Sequence, residues 1–250
     1  MANETVFNQR ADYYDRARPG YAPEAVQAIM DWVKAEAKAV DIGAGTGIFT
    51  RELLRHGIET YAVEPNAQMR AKLEKNLGTE YKLHIVAASA EETGLPADSF
   101  DLITAASSFH WLDTAAFLAE CQRILKREGI VCLLINARDY QDPFTQKQHM
   151  LCQKYCPGFS SLKHGLEKTE TAAEKFFGQA LQRQEFAFPL CYEKEQFIER
   201  SLSSSYAPNP QDPRYGYYRN ELRKLLDEWT PEKYITVKNT TVLFWGKLDK

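Results

Sequence analysis

The sequence predicts an α/β protein whose core is a doubly wound, mostly parallel sheet. Apolar stretches of strand length alternate with amphipathic stretches of helix length over residues 23–137, as parallel strands and their helical crossovers do. Residues 130–135 are almost wholly apolar, which is typical of a strand covered on both faces. Three glycines within residues 43–47 lie where the first strand of such a sheet would turn into a helix.

Composition and charge are those of a soluble globular protein. Of the 250 residues, 44% are hydrophobic and 26% charged, and the net charge is −3, so nothing draws the chain toward nucleic acid or an anionic membrane. No apolar run approaches the ~20 residues of a membrane span, and no secretory signal is visible at the N-terminus. We expect a cytoplasmic protein with no nucleic-acid or membrane partner; oligomeric state has no signature in the sequence.

The five cysteines are expected to be reduced. Cys121 and Cys132 lie in apolar patterns, which predicts small core residues. Cys152 and Cys156 are four residues apart with His149 nearby, but a zinc site needs a closer cysteine pair and further ligands. We therefore expect no bound metal.

The glycine-rich turn is the most informative stretch for function. Asp41 precedes it, and Gly43, Gly45 and Gly47 alternate within it. Without Cβ, the backbone can take positive φ and lie against a flat ligand. Dinucleotides and S-adenosylmethionine both bind to such turns, but the last glycine of the dinucleotide fingerprint falls where this chain has Ile48.

Charge beside the turn favours S-adenosylmethionine. The Asp41 carboxylate would repel a pyrophosphate, whereas it suits a ligand that carries an ammonium and a sulfonium. Glu64 ends the next apolar run, about where an acid would bind a ribose diol. Since both ligands contain a ribose, Glu64 does not discriminate between them. The alternatives are an NAD-linked oxidoreductase and a purely structural glycine turn.

The remaining core elements follow from capping and periodicity. Pro23 is expected to open a helix, and Asn66 to cap one that ends at about Leu77. Residues 81–88 alternate as a strand, and a buried strand lies within residues 99–106.

A helix follows that Asp113 or Thr114 can cap. Its predicted apolar face runs as far as Leu125, and Lys126, Arg127 and Gly129 suit its end. Residues 130–135 then form the next strand.

The pattern changes after Ala137. Residues 143–180 are predicted to be helices with loops, residues 183–190 a strand, and residues 193–202 a helix. A loop spans 203–210, and residues 218–229 have the apolar spacing of an amphipathic helix. One or two strands are predicted within residues 234–248.

Several motifs, in order and spacing, resemble a class I S-adenosylmethionine-dependent methyltransferase of the small-molecule branch. They are residues 40–47 (VDIGAGTG), 63–66 (VEPN) with Met69, 89–91 (SAE), 95–96 (LP), 99–102 (SFDL) and 109–111 (FHW). Within that branch, residues 109–111 and the N-terminal Tyr14 with residues 18–21 (RPGY) are similar to trans-aconitate methyltransferase-like proteins.

The resemblance implies a Rossmann-like, seven-stranded sheet with a helical lid insertion. It implies a cap segment at residues 1–22 and a cofactor-binding core at 23–137. The lid would comprise residues 138–182, and residues 183–250 would complete the sheet and the substrate pocket. Tyr14 and Tyr21 would shield the methionine end of the cofactor.

The expected cofactor site gathers the turn, the ends of the neighbouring strands and the cap segment. Ser89 stands where the family usually has an acid for the adenine, and a hydroxyl accepts a hydrogen bond more weakly than a carboxylate does. The expected cofactor-binding residues are Tyr14, Asp41, Gly43, Ala44, Gly45, Thr46, Glu64, Pro65, Met69, Ser89, Ala90, Glu91, Ser107 and Phe109.

Methyl transfer from a sulfonium is a displacement with an excellent leaving group, and its product is S-adenosylhomocysteine. The enzyme mainly aligns the reactants and excludes water; a base is needed only if the acceptor starts protonated. His110 is the first candidate base, with a role in the pocket wall as the alternative. Tyr14 is the second candidate.

The acceptor is expected to be a small molecule methylated on oxygen, such as a carboxylate or hydroxyl. Residues 105–108 (AASS) lack the Asn-Pro-Pro-Tyr-type motif of amino-methylating enzymes. His149, Arg200 and Tyr206 could face the substrate, with solvated helix surface as the alternative. A non-catalytic S-adenosylmethionine-binding regulator is the remaining alternative function.

Overall fold

A computed structural model describes residues 19–34 and 36–249 of the chain. These residues form two compact units. The sheet unit comprises Gly20–Asn136, Gly165–Phe186 and residues 241–249. The accessory unit comprises Ala137–His164, Ala187–Thr240 and Pro19.

The elements alternate along the chain as an α/β protein requires. The strands are β1 (Lys38–Ile42), β2 (Glu59–Val63), β3 (Leu83–Val86), β4 (Phe100–Ala106), β5 (Leu125–Arg138), β6 (Gln182–Ala187), β7 (Leu190–Glu193), β8 (Tyr234–Val237) and β9 (Asn239–Gly246). The helices are α1 (Pro23–Met30), α2 (Ile48–Arg55), α3 (Ala67–Leu77), α4 (Thr114–Ile124), α5 (Pro143–Tyr155), α6 (His164–Phe177), α7 (Lys194–Leu202) and α8 (Arg214–Trp229).

Seven strands pair in the order β3-β2-β1-β4-β5-β9-β6. The pairs β1–β2, β1–β4, β2–β3 and β4–β5 are parallel, and helices α2, α3 and α4 lie between their strands in the chain. The predicted α/β class with a seven-stranded, mostly parallel sheet is confirmed.

Burial explains why these segments form strands. The last four residues of β1 are all buried, and Ala39 packs in a core cluster with Leu102 of β4 and Leu134 of β5. Helices α1 and α2 cover this part of the sheet with Ile29 and Leu53, both fully buried. Beside this cluster, Trp32 and Trp245 stack with ring centroids 4.6 Å apart.

The helix starts follow the predicted caps. Pro23 is the first residue of α1. The side chain of Asn66 accepts hydrogen bonds from the backbone of Gln68 and Met69 at the start of α3, and Asp113 caps α4 in the same way.

Three predicted boundaries are wrong. Helix α4 ends at Ile124, and residues 125–129 belong to β5, where Leu125 pairs with Phe100. Lys126 is held there because its ammonium bonds both carboxylate oxygens of Asp101, each at 2.9 Å. The strand predicted over 81–88 is shorter, since a turn from Glu80 to Leu83 precedes β3 and 86 is its last residue.

The third error is the strand predicted over residues 183–190. Strand β6 ends at Ala187 and β7 begins at Leu190 in a different sheet. Pro189 lies between them, and proline has no N–H to continue a strand ladder.

The accessory unit has its own core. Strands β7 and β8 pair antiparallel, and the buried side chains of α5, α7 and α8 cluster beside them. Helix α8 buries Tyr218, Leu222, Leu225 and Leu226, as its spacing predicts, whereas Trp229 stays 38% exposed.

The five cysteines are all free, with Cys121, Cys132, Cys152 and Cys156 buried and Cys191 exposed. Over residues 19–34 and 36–249, no helix combines the length and the apolar character that crossing a bilayer requires.

Candidate functional site

The candidate site lies at the carboxyl ends of β1, β2 and β4. The strands are parallel and in register there, so that Asp41 pairs with Ala62 on one side and with Thr104 on the other. Carboxyl ends of parallel strands share one edge of a sheet, which is where open α/β sheets bind their ligands. The described residues of the expected cofactor site lie here. They are Asp41 near the end of β1, residues in the segments that follow β1, β2, β3 and β4, and Met69 in the first turn of α3.

Asp41 is a buried acid held by two threonines. Its side chain is 1% exposed. The hydroxyl of Thr50 donates to one carboxylate oxygen at 2.6 Å, and that of Thr104 to the other at 2.9 Å. Burial raises the pKa of Asp41 to about 6, against these two hydrogen bonds, and the nearby charge of Glu64 adds to the rise. The carboxylate is thus fixed in place, and its ionisation is sensitive to nearby charge.

The turn after β1 is closed by backbone hydrogen bonds. The amides of Gly43 and Ala44 both donate to the carbonyl of Val63, at 2.8 and 3.1 Å. Gly43 has a φ of +65°, and a Cβ there would lie 2.6 Å from the Cβ of Ser108. Ser108 is itself held because its hydroxyl donates to the carbonyl of Ile42 at 2.6 Å. Position 43 therefore requires glycine for packing as well as for conformation.

Gly45 differs from Gly43 in what surrounds it. Its φ is +58°, but among the described residues a Cβ there would meet only the carbonyl oxygen of Gly43, at 4.0 Å. The backbone at this position is thus open to a ligand rather than packed against protein.

Glu64 connects the turn to the end of β2. One of its carboxylate oxygens accepts from the amide of Gly45 at 2.9 Å, and the other accepts from the amide of Asn66 at 2.8 Å. The side chain is only 7% exposed. A carboxylate has about four acceptor positions, so it can accept from hydroxyls in addition to these two backbone amides.

The neighbours of Glu64 have mixed exposure. Pro65 is exposed, and Met69 is buried in the first turn of α3. Thr46 is 1% exposed, and its hydroxyl has no hydrogen-bond partner among the described residues. Ala44 is half-buried in the turn.

The loop after β3 contains Ser89, Ala90 and Glu91. Ser89 is exposed and Ala90 is buried. Glu91 accepts a hydrogen bond from the backbone of Asp113 at 3.1 Å, so it ties this loop to the start of α4.

The segment after β4 has a strained backbone. Ser107 has a φ of +57°, an uncommon conformation outside glycine and one that clusters at functional sites. Its amide donates to Leu134 at 2.8 Å, and its hydroxyl accepts from that of Tyr21 at 3.0 Å. Tyr21 also packs edge-on against Phe49, with ring centroids 5.4 Å apart. These contacts hold the backbone of Ser107 in place at the end of β4.

The aromatic run that follows forms a 3₁₀ turn over Phe109–Trp111. Phe109 is 2% exposed and packs against Phe117 and Phe176, with centroid distances of 6.2 and 5.4 Å. Its side chain thus joins an aromatic core. His110 is half-buried, and its ring lies 4.9 Å from that of Trp111, which is 43% exposed.

The remaining candidates lie elsewhere. Tyr14 is outside the described residues. His149, Arg200 and Tyr206 belong to the accessory unit. No group of three or more His, Cys, Asp or Glu side chains that could hold a metal occurs in the described part of the chain.

The sequence analysis did not identify the side chains that hold the expected site residues in place. Thr50 and Thr104 bind Asp41, and Ser108 packs on Gly43. Thr104 had a signal in the sequence, because a polar residue in a wholly buried strand needs a hydrogen-bond partner. The Ser108 contact joins residues about 65 positions apart and has no local sequence signal.

Residues 40–133 match the family model of the methyltransferase domain. An uncharacterized methyltransferase of Schizosaccharomyces pombe is 31% identical over 181 residues, which are 71% of this chain and 68% of that protein. An uncharacterized methyltransferase of Mycobacterium tuberculosis is 35% identical over 135 residues, 53% of each chain. The match thus spans about half the length of the mycobacterial relative.

Solved structures share the fold. The YcgJ protein of Bacillus subtilis superposes with a TM-score of 0.57 at 18% identity, covering 92% of this chain and all of that one. Phosphoethanolamine N-methyltransferase 2 of Haemonchus contortus, solved with S-adenosyl-L-methionine, gives a TM-score of 0.52 at 14% identity, covering 99% of this chain and 57% of that one. With the sequence relatives, the sheet order and the glycine turn, the conclusion is that the chain belongs to the methyltransferase family.

Proposed function

We propose that this protein transfers a methyl group from S-adenosylmethionine to an oxygen of a small-molecule acceptor. The observation that carries the choice of cofactor is the 2.9 Å hydrogen bond from the Gly45 amide to Glu64. A dinucleotide would need such turn amides for its pyrophosphate. Here a carboxylate accepts from that amide, and a second acid, Asp41, is buried beneath the same turn. Both acids oppose a pyrophosphate and favour a cationic ligand.

The residues of the site fit such a ligand. Gly45 would lie against it, because no atom of residues 19–34 or 36–249 comes closer than 4.0 Å to a Cβ built there. Glu64 would accept hydrogen bonds from the ribose hydroxyls. Asp41 would supply negative charge toward the amino acid end, and the loop with Ser89 and Ala90 would border the adenine. When bound, the cofactor would supply an electrophilic methyl group on a sulfonium.

The protein would contribute alignment, exclusion of water and, for a protonated acceptor, a base. The base role of His110 is supported by its place in the turn after β4, three residues beyond the strained Ser107. A neutral imidazole at this position could take up the proton that the acceptor loses. A carboxylate acceptor would need no base, so that His110 would then serve only as a contact.

An oxygen acceptor is supported by two sequence features. Residues 105–108 (AASS) lack an amino-methylation motif, and residues 109–111 (FHW) are similar to trans-aconitate methyltransferase-like proteins.

Calorimetric titration of the full chain with S-adenosylmethionine and, separately, with NAD tests the cofactor. We expect saturable binding of the first and none of the second. Binding of NAD alone would refute the proposal. A screen of small carboxylates, phenols and amines for S-adenosylhomocysteine formation then tests the acceptor, and cofactor binding without turnover on any of them would favour a regulator.

A further inference from the structure

The accessory unit contains a group of buried polar atoms that its described residues do not satisfy. They are Nη1 of Arg138, Oε1 of Gln148, Nδ1 of His149 and the hydroxyl of Tyr192, each buried and without a hydrogen-bond partner among the described residues. Buried polar atoms in native proteins nearly always have partners, and those that do not call for an explanation. Gln148 is fully buried and Tyr192 is 8% exposed, so bulk solvent does not reach them freely.

Three of these side chains lie against the middle and end of α7. The guanidinium of Arg138 lies 5.3 Å from the ring centre of Phe197, and the ring of Tyr192 is 6.0 Å from the same ring. Gln148 reaches α7 from α5, where its amide donates to the hydroxyl of Ser201 at 3.2 Å. Arg138 of β5, Gln148 of α5 and Tyr192 of β7 therefore all contact one helix.

Positive charge is concentrated at this place. Arg138 forms no ion pair with any described residue, which distinguishes it from Arg183, whose guanidinium also lies over a phenylalanine but pairs with Glu170 at 3.0 Å. The guanidinium of Arg200 lies 5.3 Å from the ring centre of Tyr192. Burial raises the pKa of Tyr206, and the charges of Arg138 and Arg200 both oppose that rise, which places the two cations near one phenol.

Aromatic side chains pack next to His149. Its ring packs edge-on against Phe159, with centroids 5.0 Å apart, and Phe159 packs in the same way against Tyr206. Aromatic rings thus line the region, and its polar atoms are few and directional, as is usual in small-molecule sites.

The chemistry of the four atoms specifies a ligand. A guanidinium donates to planar oxyanions, and a phenol can donate beside it. Gln148 Oε1 is an amide oxygen and can only accept, and the bond from its amide nitrogen to Ser201 fixes its direction, so it needs a donor from the ligand. His149 can meet either kind of group, depending on its tautomer.

We propose that the accessory unit binds a small oxyanion that also donates a hydrogen bond, with Arg138 and Tyr192 on the anion and Gln148 on the donor. Hydroxycarboxylates and phosphorylated alcohols share this chemistry. The proposal goes beyond methyl transfer and does not depend on it, because binding can be measured without a methyl donor.

The test is calorimetric titration of the full chain with malate, succinate, inorganic phosphate and the uncharged succinamide. We expect malate or phosphate to bind, succinate to bind more weakly than malate because it lacks the hydroxyl, and succinamide not to bind. A response to malate with none to phosphate assigns a carboxylate, and the reverse assigns a phosphate ester. Equal failure of all the anions would overturn the proposal.

Two variants and a control sharpen the test. Arg138→Gln should weaken anion binding about tenfold or more without lowering Tm, because it removes a half-buried charge that has no ion-pair partner among the described residues. Arg183→Gln, which removes a paired arginine over a phenylalanine, should leave anion binding unchanged.

Gln148→Met should remove the preference for malate over succinate. If Arg138→Gln binds anions normally, or lowers Tm while affinity is kept, Arg138 is structural and the proposal is wrong.

A separate readout keeps the two proposals apart. Titration of Arg138→Gln with S-adenosylmethionine should match the unmodified protein, since Arg138 is not among the residues at the glycine turn. Loss of anion binding with intact cofactor binding supports the site in the accessory unit. Loss of both would mean that the variant is misfolded, and the Gln148→Met preference would then decide.

Discussion

At the scale of single residues, two glycines of the same turn are required for different reasons. Gly43 is required by Ser108, whose Cβ lies 2.6 Å from where a Cβ would stand, whereas Gly45 has no such neighbour. The sequence shows both glycines but not this difference, which depends on a contact between distant segments. A substitution at Gly45 therefore tests ligand binding with little interference from packing.

Gly45→Ala should abolish cofactor binding while the protein stays folded. Alanine at φ of +58° costs about 1–2 kcal/mol of stability, and its methyl group would stand where the ligand approaches. Gly178→Ala is the matched control, because Gly178 has φ of +53° and no atom within 4 Å of the place that an alanine methyl group would take. Both variants should lose similar stability in urea unfolding, but only Gly45→Ala should lose affinity in calorimetry. Equal affinities would mean that the turn does not contact the ligand.

His110→Gln should lower kcat far more than it lowers cofactor affinity if the acceptor is protonated. A general base contributes about 10²-fold or more, and glutamine keeps much of the shape. His84→Gln is a suitable control, since His84 lies on β3 beside Glu59 and outside the strand-end loops. Steady-state kinetics with a phenol or alcohol acceptor measure the effect. An unchanged kcat would assign His110 to the pocket wall.

At the scale of elements, the α/β class and the helix caps followed from the sequence, but the strand ends did not. Periodicity shows that β5 exists, yet its start at Leu125 depends on pairing with Phe100 and on the bond from Lys126 to Asp101. Likewise Asp41 was predicted as an acid beside the ligand. Its burial between Thr50 and Thr104 depends on the junction of β1, β4 and α2, which no local pattern reveals.

The burial of Asp41 between β1, β4 and α2 predicts that the stability of the protein depends on pH. The pKa of Asp41 is raised from 3.8 to about 6 in the folded protein, so the folded state binds this proton more tightly than the unfolded state does. The stability that the group contributes is full below about pH 4 and is lost as pH rises through about 6. A shift of roughly two units corresponds to at most about 3 kcal/mol.

Asp41→Asn has no such proton to lose. Its free energy of unfolding, relative to the unmodified protein, should therefore rise by up to about 3 kcal/mol between about pH 4 and pH 8. Urea unfolding at several pH values measures this, and high salt should change it little because the group is buried. Affinity for a cationic cofactor should rise through about pH 6 in the unmodified protein only. Parallel stability curves for the two proteins would contradict this account of Asp41.

At the scale of the whole molecule, the sheet unit was the more predictable part. Its parallel strands alternate with helices and its ligand edge carries motifs, whereas the accessory unit pairs only two strands of four residues each. The break at Pro189 and the pairing of β7 with β8 depend on contacts between segments about 45 residues apart, for which the sequence has no local pattern. The buried polar atoms of Arg138, Gln148 and Tyr192 likewise become recognisable only once the accessory unit is folded.

The two units should respond separately to ligands in hydrogen exchange. S-adenosylmethionine should slow exchange at the glycine turn and after β2 and β4, because those amides lie at the proposed site. An oxyanion should slow exchange in α5 and α7 instead. Mass spectrometry of peptides from the full chain can resolve these regions. Cofactor protection confined to the accessory unit would contradict the assignment of the turn.

The distribution of the cysteines has a practical consequence. One thiol, at Cys191, is exposed, and the other four are buried, so a maleimide dye should attach once to each native chain and five times after denaturation. The stoichiometry of labelling would then count unfolded molecules directly, and a fluorophore at position 191 would report on the accessory unit without any engineered mutation.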